Sequence, residues 1–330
     1  MNVAETQDDL RPGRACPLHY RYAPASLAGA PALHCDTLYV AGGVYGNRPA
    51  LRRINELFER EPGPKRLVFN GDFNWFDIDD AAFVEVNRTV LGFDATRGNV
   101  ETELPADTDP DTAAAADADA GCGCAYPAWV GDAVLTHSNT IMGRLRATAG
   151  RHAALARAVA ALPMQLRVEV GGLRIGVVHG DAQSLSGWGF AQESLAEPAH
   201  AKEVARWFGA AQVDVFASSH TCLPVFKRVG IDTPVGGLVL NNGAAGMPNF
   251  AGSAEGLLTR IAIRPFDGPQ ARFGLRHGTV FIDAIGIDFD AASWQAEFLA
   301  QWPAGSPAHT AYWQRICHGP DYAVIQALHF

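Results

Sequence analysis

The fold is predicted from residues 36–72, which read DTLYVAGGVYGNRPALRRINELFEREPGPKRLVFNGD. The stretch begins with a short apolar run that enters a Gly-rich turn at 41–47, and the segment from 48 to 61 then has helical spacing. Pro49 lies near the start of this helix, where its missing N–H costs nothing. A second apolar run at 65–72 ends in a turn. The order strand, helix, strand predicts a parallel βαβ unit and an α/β protein.

The rest of the chain continues this alternation. Two apolar runs, at 166–170 and 173–181, are joined by Gly171-Gly172, which predicts a hairpin. Further strands are predicted at 213–220, 235–243, 257–264 and 278–285, and further helices at about 134–148, 151–161, 192–208 and 289–302.

Three segments are predicted along the chain. Residues 1–35 have no clear periodicity and are expected to form an extended N-terminal arm. Residues 36–285 form the main domain, interrupted at 105–120 by the acidic, low-complexity tract PADTDPDTAAAADADA, which we interpret as a flexible insertion. Residues 286–330 are expected to form a C-terminal helical extension packed on that domain.

Composition and charge exclude several classes of protein. Hydrophobic residues make up 48% of the 330 residues, which excludes wholesale disorder. The net charge of −9 gives no basic surface for nucleic acid, so no nucleic-acid partner is predicted. Seven of the acidic residues lie within 101–120, where there is no Lys or Arg, so the rest of the chain is nearly neutral. No apolar run reaches the ~18 residues of a membrane-spanning helix, and no membrane role is predicted.

Cysteine usage and the N-terminus favour a reducing compartment. The six cysteines do not form a disulfide framework, and the first 20 residues contain no apolar stretch that resembles a signal-peptide core. We therefore expect a cytoplasmic protein. The sequence indicates no oligomeric state.

Five polar turns each lie directly after a predicted strand or in a loop where a strand would end. They are AGGVYGN (41–47), NGDFNW (70–75), RGNVE (97–101), VVHGD (177–181) and SSHTC (218–222). Together they supply one carboxylate, one amide and two imidazoles, from Asp72, Asn99, His179 and His220. These groups are ligands for hard and borderline divalent metals, and α/β proteins build their sites at strand ends. We therefore predict that the four side chains converge on a metal.

The order of these turns resembles the calcineurin-like metallophosphoesterase superfamily, from about Asp36 to Phe250. The pattern of that family is D-x-H, G-D, G-N-H-[D/E], an isolated H and G-H-x-H. The matching segments are GVYGNRPAL, Gly71-Asp72, Gly98-Asn99-Val100-Glu101, His179 and Ser219-His220-Thr221-Cys222. The resemblance implies a sandwich of two mixed β-sheets flanked by helices, with the site at one edge. It also implies a hydrolase that acts on small phosphoesters as a phosphatase or phosphodiesterase.

The chain departs from the family pattern on one side of this site. Family members usually bind two metals bridged by the G-D aspartate, here Asp72. Three ligands of the first metal are replaced, at Gly43, Tyr45 and Cys222. The ligands of the second metal are retained, at Asn99, His179 and His220. The resemblance therefore implies one divalent metal (Mn, Zn, Fe, Ni or Mg) rather than two.

The replaced positions leave two interpretations open. Tyr45 and Cys222 either bind a different metal or pack and contact substrate, and Gly43 and Asn47 lie in the same segment. Val100 replaces the histidine that helps to protonate the leaving group in the family, so no catalytic acid is identified.

Several nearby residues are candidates for supporting the ligands or contacting substrate. They are Arg97, Glu101 and Asp181. Trp188 follows His179 and either walls a pocket or packs in the core. The predicted function is a phosphoester hydrolase with one intact metal site. The alternative is an impaired enzyme of the same fold that binds a phosphorylated ligand or a protein partner.

Overall fold

The computed structural model describes residues 11–105, 121–230 and 236–329. Except for its first residue, the predicted insertion at 105–120 lies outside these ranges. The helices are α1 Arg48–Arg60, α2 Asp80–Val90, α3 Asn99–Thr102, α4 Asp132–Arg151, α5 Ala153–Ala160, α6 Gln192–Ala196, α7 Pro198–Ala211, α8 Ala291–Gln301 and α9 Pro307–His318. The strands are β1 Leu33–Cys35, β2 Thr37–Ala41, β3 Lys65–Asn70, β4 Asp94–Thr96, β5 Gln165–Val170, β6 Leu173–Val178, β7 Val215–Ser218, β8 Pro224–Val229, β9 Gly237–Asn242, β10 Gly256–Ala262, β11 Ala271–His277, β12 Val280–Ile287 and β13 Leu328–His329.

These strands form two mixed sheets. One has the order β1-β5-β6-β7-β9-β8-β13 and the other the order β11-β12-β10-β2-β3-β4. The predicted βαβ unit is present, because β2 and β3 pair in parallel across α1. The predicted hairpin is also present, with β5 and β6 antiparallel around Gly171-Gly172. The prediction of two mixed sheets flanked by helices is confirmed.

Alternating side chains place the two sheets face to face and cover their outer surfaces with helices. Val40 of β2 packs in the core between the sheets, whereas its neighbour Tyr39 packs with Ile54 of α1 on the outer face. On the other sheet, Val177 faces the inner core and Phe216 packs with helix α7. Because both faces of these strands are buried, their sequences read as continuous apolar runs.

Some elements differ from the sequence prediction. The helix predicted at 192–208 is two helices, because Pro198 cannot continue the first and starts the second. Five strands, β1, β4, β8, β11 and β13, were not predicted, and three of them (β1, β4 and β13) are only two or three residues long. β8 begins at a proline, and β11 is an edge strand with exposed arginines, so neither has a clear apolar pattern.

The predicted N-terminal arm and C-terminal extension each contribute a strand to the seven-stranded sheet. Within the predicted N-terminal arm, β1 pairs with β5. Near the C-terminus, β13 pairs with β8. The division into an arm, a domain and an extension stays a prediction. None of the helices in the described ranges is long and apolar enough to cross a membrane.

Candidate metal centre

The four predicted ligands lie together at one edge of the sandwich, where strands of both sheets end. Asp72 follows β3 and Asn99 begins α3 after β4, in the six-stranded sheet. His179 follows β6 and His220 follows β7, in the seven-stranded sheet. The side chains therefore meet across the seam between the two sheets.

The ring of His179 lies at the centre of this group. Its Nε2 is 3.3 Å from Oδ1 of Asp72, 3.2 Å from Oδ1 of Asn99 and 3.2 Å from Nδ1 of His220. The candidate ligand atoms of Asp72, His179 and His220 all lie within 4.8 Å of one another. We call Asp72, Asn99, His179 and His220 the acceptor cluster.

Hydrogen bonds to backbone carbonyls fix which atom each side chain presents. Nδ1 of His179 donates to the carbonyl of Asn70 at 2.9 Å, and Nε2 of His220 donates to the carbonyl of Cys124 at 3.0 Å. Nδ2 of Asn99 donates to the carbonyl of Cys122 at 2.9 Å. A carbonyl only accepts, so the opposite atom of each group faces the cluster as an acceptor. Metal-binding histidines are held in this way, with the other ring nitrogen bonded to a carbonyl.

Four acceptors that face one another need a cation between them. Burial lowers the pKa of His220 to about 4, and the neighbouring His179 adds to the effect, so His220 is neutral at pH 7. Burial opposes a proton on His179, but the carboxylate of Asp72 outweighs it and raises the pKa of His179. A proton on Nε2 of His179 therefore marks the place that suits a cation. The donor set of one carboxylate, one amide oxygen and two imidazoles fits a divalent metal.

Gly71 and Gly98, which precede Asp72 and Asn99, allow the ligand-bearing turns to approach one another closely. A Cβ on Gly71 would lie 2.4 Å from Nδ1 of His179, and a Cβ on Gly98 would lie 2.3 Å from Oδ1 of Asp72. Asp72 itself has a positive φ of 52°. The buried carboxylate of Glu101 accepts hydrogen bonds from the backbone N–H groups of Asp72 and Gly98, at 2.8 and 2.9 Å. Glu101 thus holds the turn that carries Asp72.

The replaced positions form a second, different part of the site. The phenol of Tyr45 occupies the space in front of Gly43, since a Cβ there would lie 2.7–2.8 Å from the ring. The Tyr45 hydroxyl is 2.6 Å from Sγ of Cys222. Tyr45 and Cys222 have positive φ angles of 56° and 61°, which non-glycine residues adopt only in special turns. We call these two residues the Tyr45–Cys222 pair.

A pocket lies in front of both parts and has about 500 Å³ of empty space, part of it open to solvent. Its lining includes members of the acceptor cluster and the Tyr45–Cys222 pair. The other lining residues are Trp75, Val100, Cys124, Tyr126, Trp188, Thr221, Met247, Tyr312 and Arg315. Trp188 therefore walls the pocket, and its Nε1 donates to the carbonyl of Cys124 at 3.0 Å.

Three residues that were predicted to support the ligands or contact substrate lie away from this lining. Asn47 is fully buried, where Oδ1 caps α1 and Nδ2 donates to the carbonyl of Gly246. Arg97 donates to the carbonyls of Ala160 and Leu162 behind the site. Asp181 accepts from backbone N–H groups in its own loop, at Gln183, Ser184 and Gly189. These hydrogen bonds hold the fold, and the positions of the three residues do not support direct contact with substrate.

Sequence reasoning missed the parts of the pocket that come from outside the five turns. Cys124 and Tyr126 lie in the loop before α4, and Tyr312 and Arg315 lie on α9. The spacing of 312 and 315 on one helical face was the only available signal, because side chains three residues apart lie on the same side of a helix. That signal does not distinguish a pocket wall from ordinary packing.

The fold is similar to that of two solved structures. A metallophosphoesterase from Sphaerobacter thermophilus is 15% identical, with a TM-score of 0.53 over 86% of this chain and 100% of that one. A hypothetical protein from Pyrococcus horikoshii OT3 is also 15% identical, with a TM-score of 0.54 over 87% of this chain and 99% of that one. No family model and no curated protein matches the sequence. The predicted metallophosphoesterase fold is confirmed.

Proposed function

We propose that this protein is a metal-dependent phosphoester hydrolase with one divalent metal, held by the acceptor cluster. The observation that carries the proposal is that four acceptor atoms converge, each fixed by a turn at the end of a strand. The fold of metallophosphoesterases supports it. A divalent metal bound there supplies a Lewis acid for a phosphoryl oxygen and lowers the pKa of bound water.

The chain's own residues prepare this site in three ways. The carbonyls of Asn70 and Cys124 hold the two imidazoles in the orientation that a ligand needs. Glu101 fixes the backbone of the Asp72 turn. The aromatic ring of Trp188, 5.6 Å from the ring of His220 between centroids, excludes water from one side of the cluster.

Turnover of generic substrates tests the proposal. Purified protein supplied separately with Mn, Zn, Ni, Fe or Mg should hydrolyse p-nitrophenyl phosphate or bis-p-nitrophenyl phosphate with at least one of these metals. His179→Ala should abolish that turnover, because it removes the central ligand. His200→Ala is the matched control, since His200 is also held by a backbone carbonyl, that of Gly189, but does not line the pocket. Absence of turnover with every metal would contradict the hydrolase.

One observation favours a second function, a binder of phosphorylated ligands without turnover. The Tyr45–Cys222 pair occupies the place where the family resemblance puts the first metal. A site with one metal is a weaker catalyst than a site that clamps both the attacking and the leaving oxygen. Stabilisation of the folded protein by inorganic phosphate, without hydrolysis of either ester, would identify this function.

A further inference from the structure

The helix α9 brings a guanidinium group into the part of the pocket that holds the Tyr45–Cys222 pair. Arg315 lines the pocket beside Tyr312, one turn earlier on the same face of α9. Its Nη2 donates to the carbonyl of Cys222 at 2.8 Å, and its Nε donates to the carbonyl of Pro248 at 3.2 Å. Its Nη1 hydrogen-bonds to none of the described residues. One edge of the guanidinium is therefore anchored, and the other is available to a ligand.

The charge of Arg315 has no protein counter-ion among the described residues. Its two partners are neutral carbonyls, and it forms no ion pair with a described carboxylate. Of the residues that line the pocket, Arg315 is the only Lys or Arg. Most of the other lining residues are aromatic or apolar, and a charge in such surroundings is stabilised strongly by an ion of opposite sign.

The side chains nearest to Arg315 do not supply a counter-ion. The Tyr45 hydroxyl and Sγ of Cys222 hydrogen-bond to each other at 2.6 Å, and neither is bonded to the guanidinium of Arg315. The carboxylate of Asp72 is directed to the acceptor cluster, 3.3 Å from Nε2 of His179.

We propose that Arg315 binds the phosphate group of the substrate, in the half of the pocket where the family resemblance places the first metal. Nη1 donates to a non-bridging phosphoryl oxygen, while the acceptor cluster lies on the other side of the same group. The inference rests on the proposed function and names the residue that recognises the anion. It replaces the positive charge of a metal by that of a guanidinium, which suits phosphate geometry.

The test measures binding of inorganic phosphate with the metal present, by calorimetry, for the wild type, Arg315→Lys and Arg315→Ala. Arg315→Ala should weaken phosphate binding about tenfold to hundredfold, since it removes a charge-assisted hydrogen bond. Arg315→Lys should recover part of that loss. Metal content should stay at the wild-type value in both variants, because Arg315 contacts none of the four acceptors.

A matched control separates recognition from structural damage. Arg167 also donates to two backbone carbonyls, those of Leu27 and Gln212, but lies on β5 away from the pocket. Arg167→Lys should therefore leave phosphate binding unchanged.

If the wild type hydrolyses p-nitrophenyl phosphate, Arg315→Ala should raise KM by a similar factor with a smaller effect on kcat. Equal phosphate affinity in wild type and Arg315→Ala would overturn the inference, whether or not the wild type hydrolyses esters. If the wild type hydrolysed neither ester but bound phosphate more tightly than Arg315→Ala, the result would contradict the hydrolase and support the role of Arg315.

Discussion

The two halves of the pocket are both built from turns that follow strands, but they present different side chains. In one half, tight turns at Asp72 and Asn99 face the strand ends at His179 and His220 and present four acceptors to one point. In the other half, the turns at Tyr45 and Cys222 keep positive φ angles but present a phenol and a thiol that bond to each other.

Backbone geometry and metal chemistry are therefore separable in this fold. In the acceptor half, the ligand atoms of four side chains converge on one point that suits a cation. In the other half, the Tyr45 hydroxyl and the Cys222 thiol are hydrogen-bonded to each other, because each can donate or accept. Arg315 then supplies the positive charge on that side.

Removal of the Asp72 carboxylate should have the largest effect on metal binding by the acceptor cluster. Asp72→Asn should lower the affinity for Mn or Zn about hundredfold or more, because the only negative charge among the four acceptors is lost. Calorimetric titration with each metal measures this. Asp94→Asn, in the same sheet but paired with Arg66 at the surface, is the control that should bind metal normally. Equal affinity in Asp72→Asn and the wild type would show that the metal does not bind at the acceptor cluster.

Restoring the family ligands should make the two halves alike. The triple variant Gly43→Asp, Tyr45→His, Cys222→His should bind two metals per chain. Gly43→Asp alone should still bind one, because the Tyr45 ring occupies the space that its side chain needs. Elemental analysis after removal of free metal counts the ions. A triple variant that remains folded and binds only one ion would refute the comparison of the two halves with a two-metal site.

A buried carboxyl group beneath the Tyr45 turn should make stability depend on pH. Asp77 is fully buried against Gly46, and burial raises its pKa to about 7, despite the N–H groups of Trp75 and Asp77 that favour its charge. The unfolded pKa is about 4. Between these values the folded state holds the extra proton, so its stability falls as pH rises, by about 1.4 kcal/mol per pH unit at most.

Asp77→Asn removes this dependence. The free energy of unfolding of the variant, relative to the wild type, should increase from pH 5 to pH 7 and then level off. Urea denaturation at pH 5, 6, 7 and 8 measures the difference. If the difference in the free energy of unfolding between Asp77→Asn and the wild type stayed constant from pH 5 to pH 8, Asp77 would be ionised in the folded protein at pH 5.

The smallest expected effect comes from the Tyr45–Cys222 hydrogen bond. Tyr45→Phe should reduce the free energy of unfolding by about 1 kcal/mol, the ordinary value of one hydrogen bond, and leave one metal per chain. Thermal denaturation and elemental analysis measure the two quantities. A loss of metal in this variant would show that the phenol is a ligand after all.

The fold and the acceptor cluster were predictable from the sequence because both depend on local turns. The residues Gly71-Asp72 and Gly98-Asn99 combine a close-approach glycine with a ligand, and each follows a buried strand. The order of such turns along the chain resembles that of a known family, and that resemblance implied which strand ends meet. The positions of the two histidines followed from the same pattern.

The remainder of the pocket depends on contacts between distant segments. Arg315 and Tyr312 reach the pocket only because α9 packs against α4 and the loop before it, and no local pattern encodes that packing. Asn47 and Arg97 were assigned to the site because they lie near the motifs in the sequence. In the structure, the Asn47 side chain caps α1 and the Arg97 side chain donates to two backbone carbonyls. Proximity to a motif does not show which way a side chain points.

We expect the acceptor cluster to hold one divalent metal and the half of the pocket with the Tyr45–Cys222 pair to hold none. Metal-free protein should be incubated with Mn, Zn, Ni, Fe or Mg, freed of unbound ions and analysed for metal content per chain. We expect one ion per wild-type chain for at least one of these metals, and none in His179→Ala. No bound ion with any metal, or two ions per wild-type chain, would contradict this expectation.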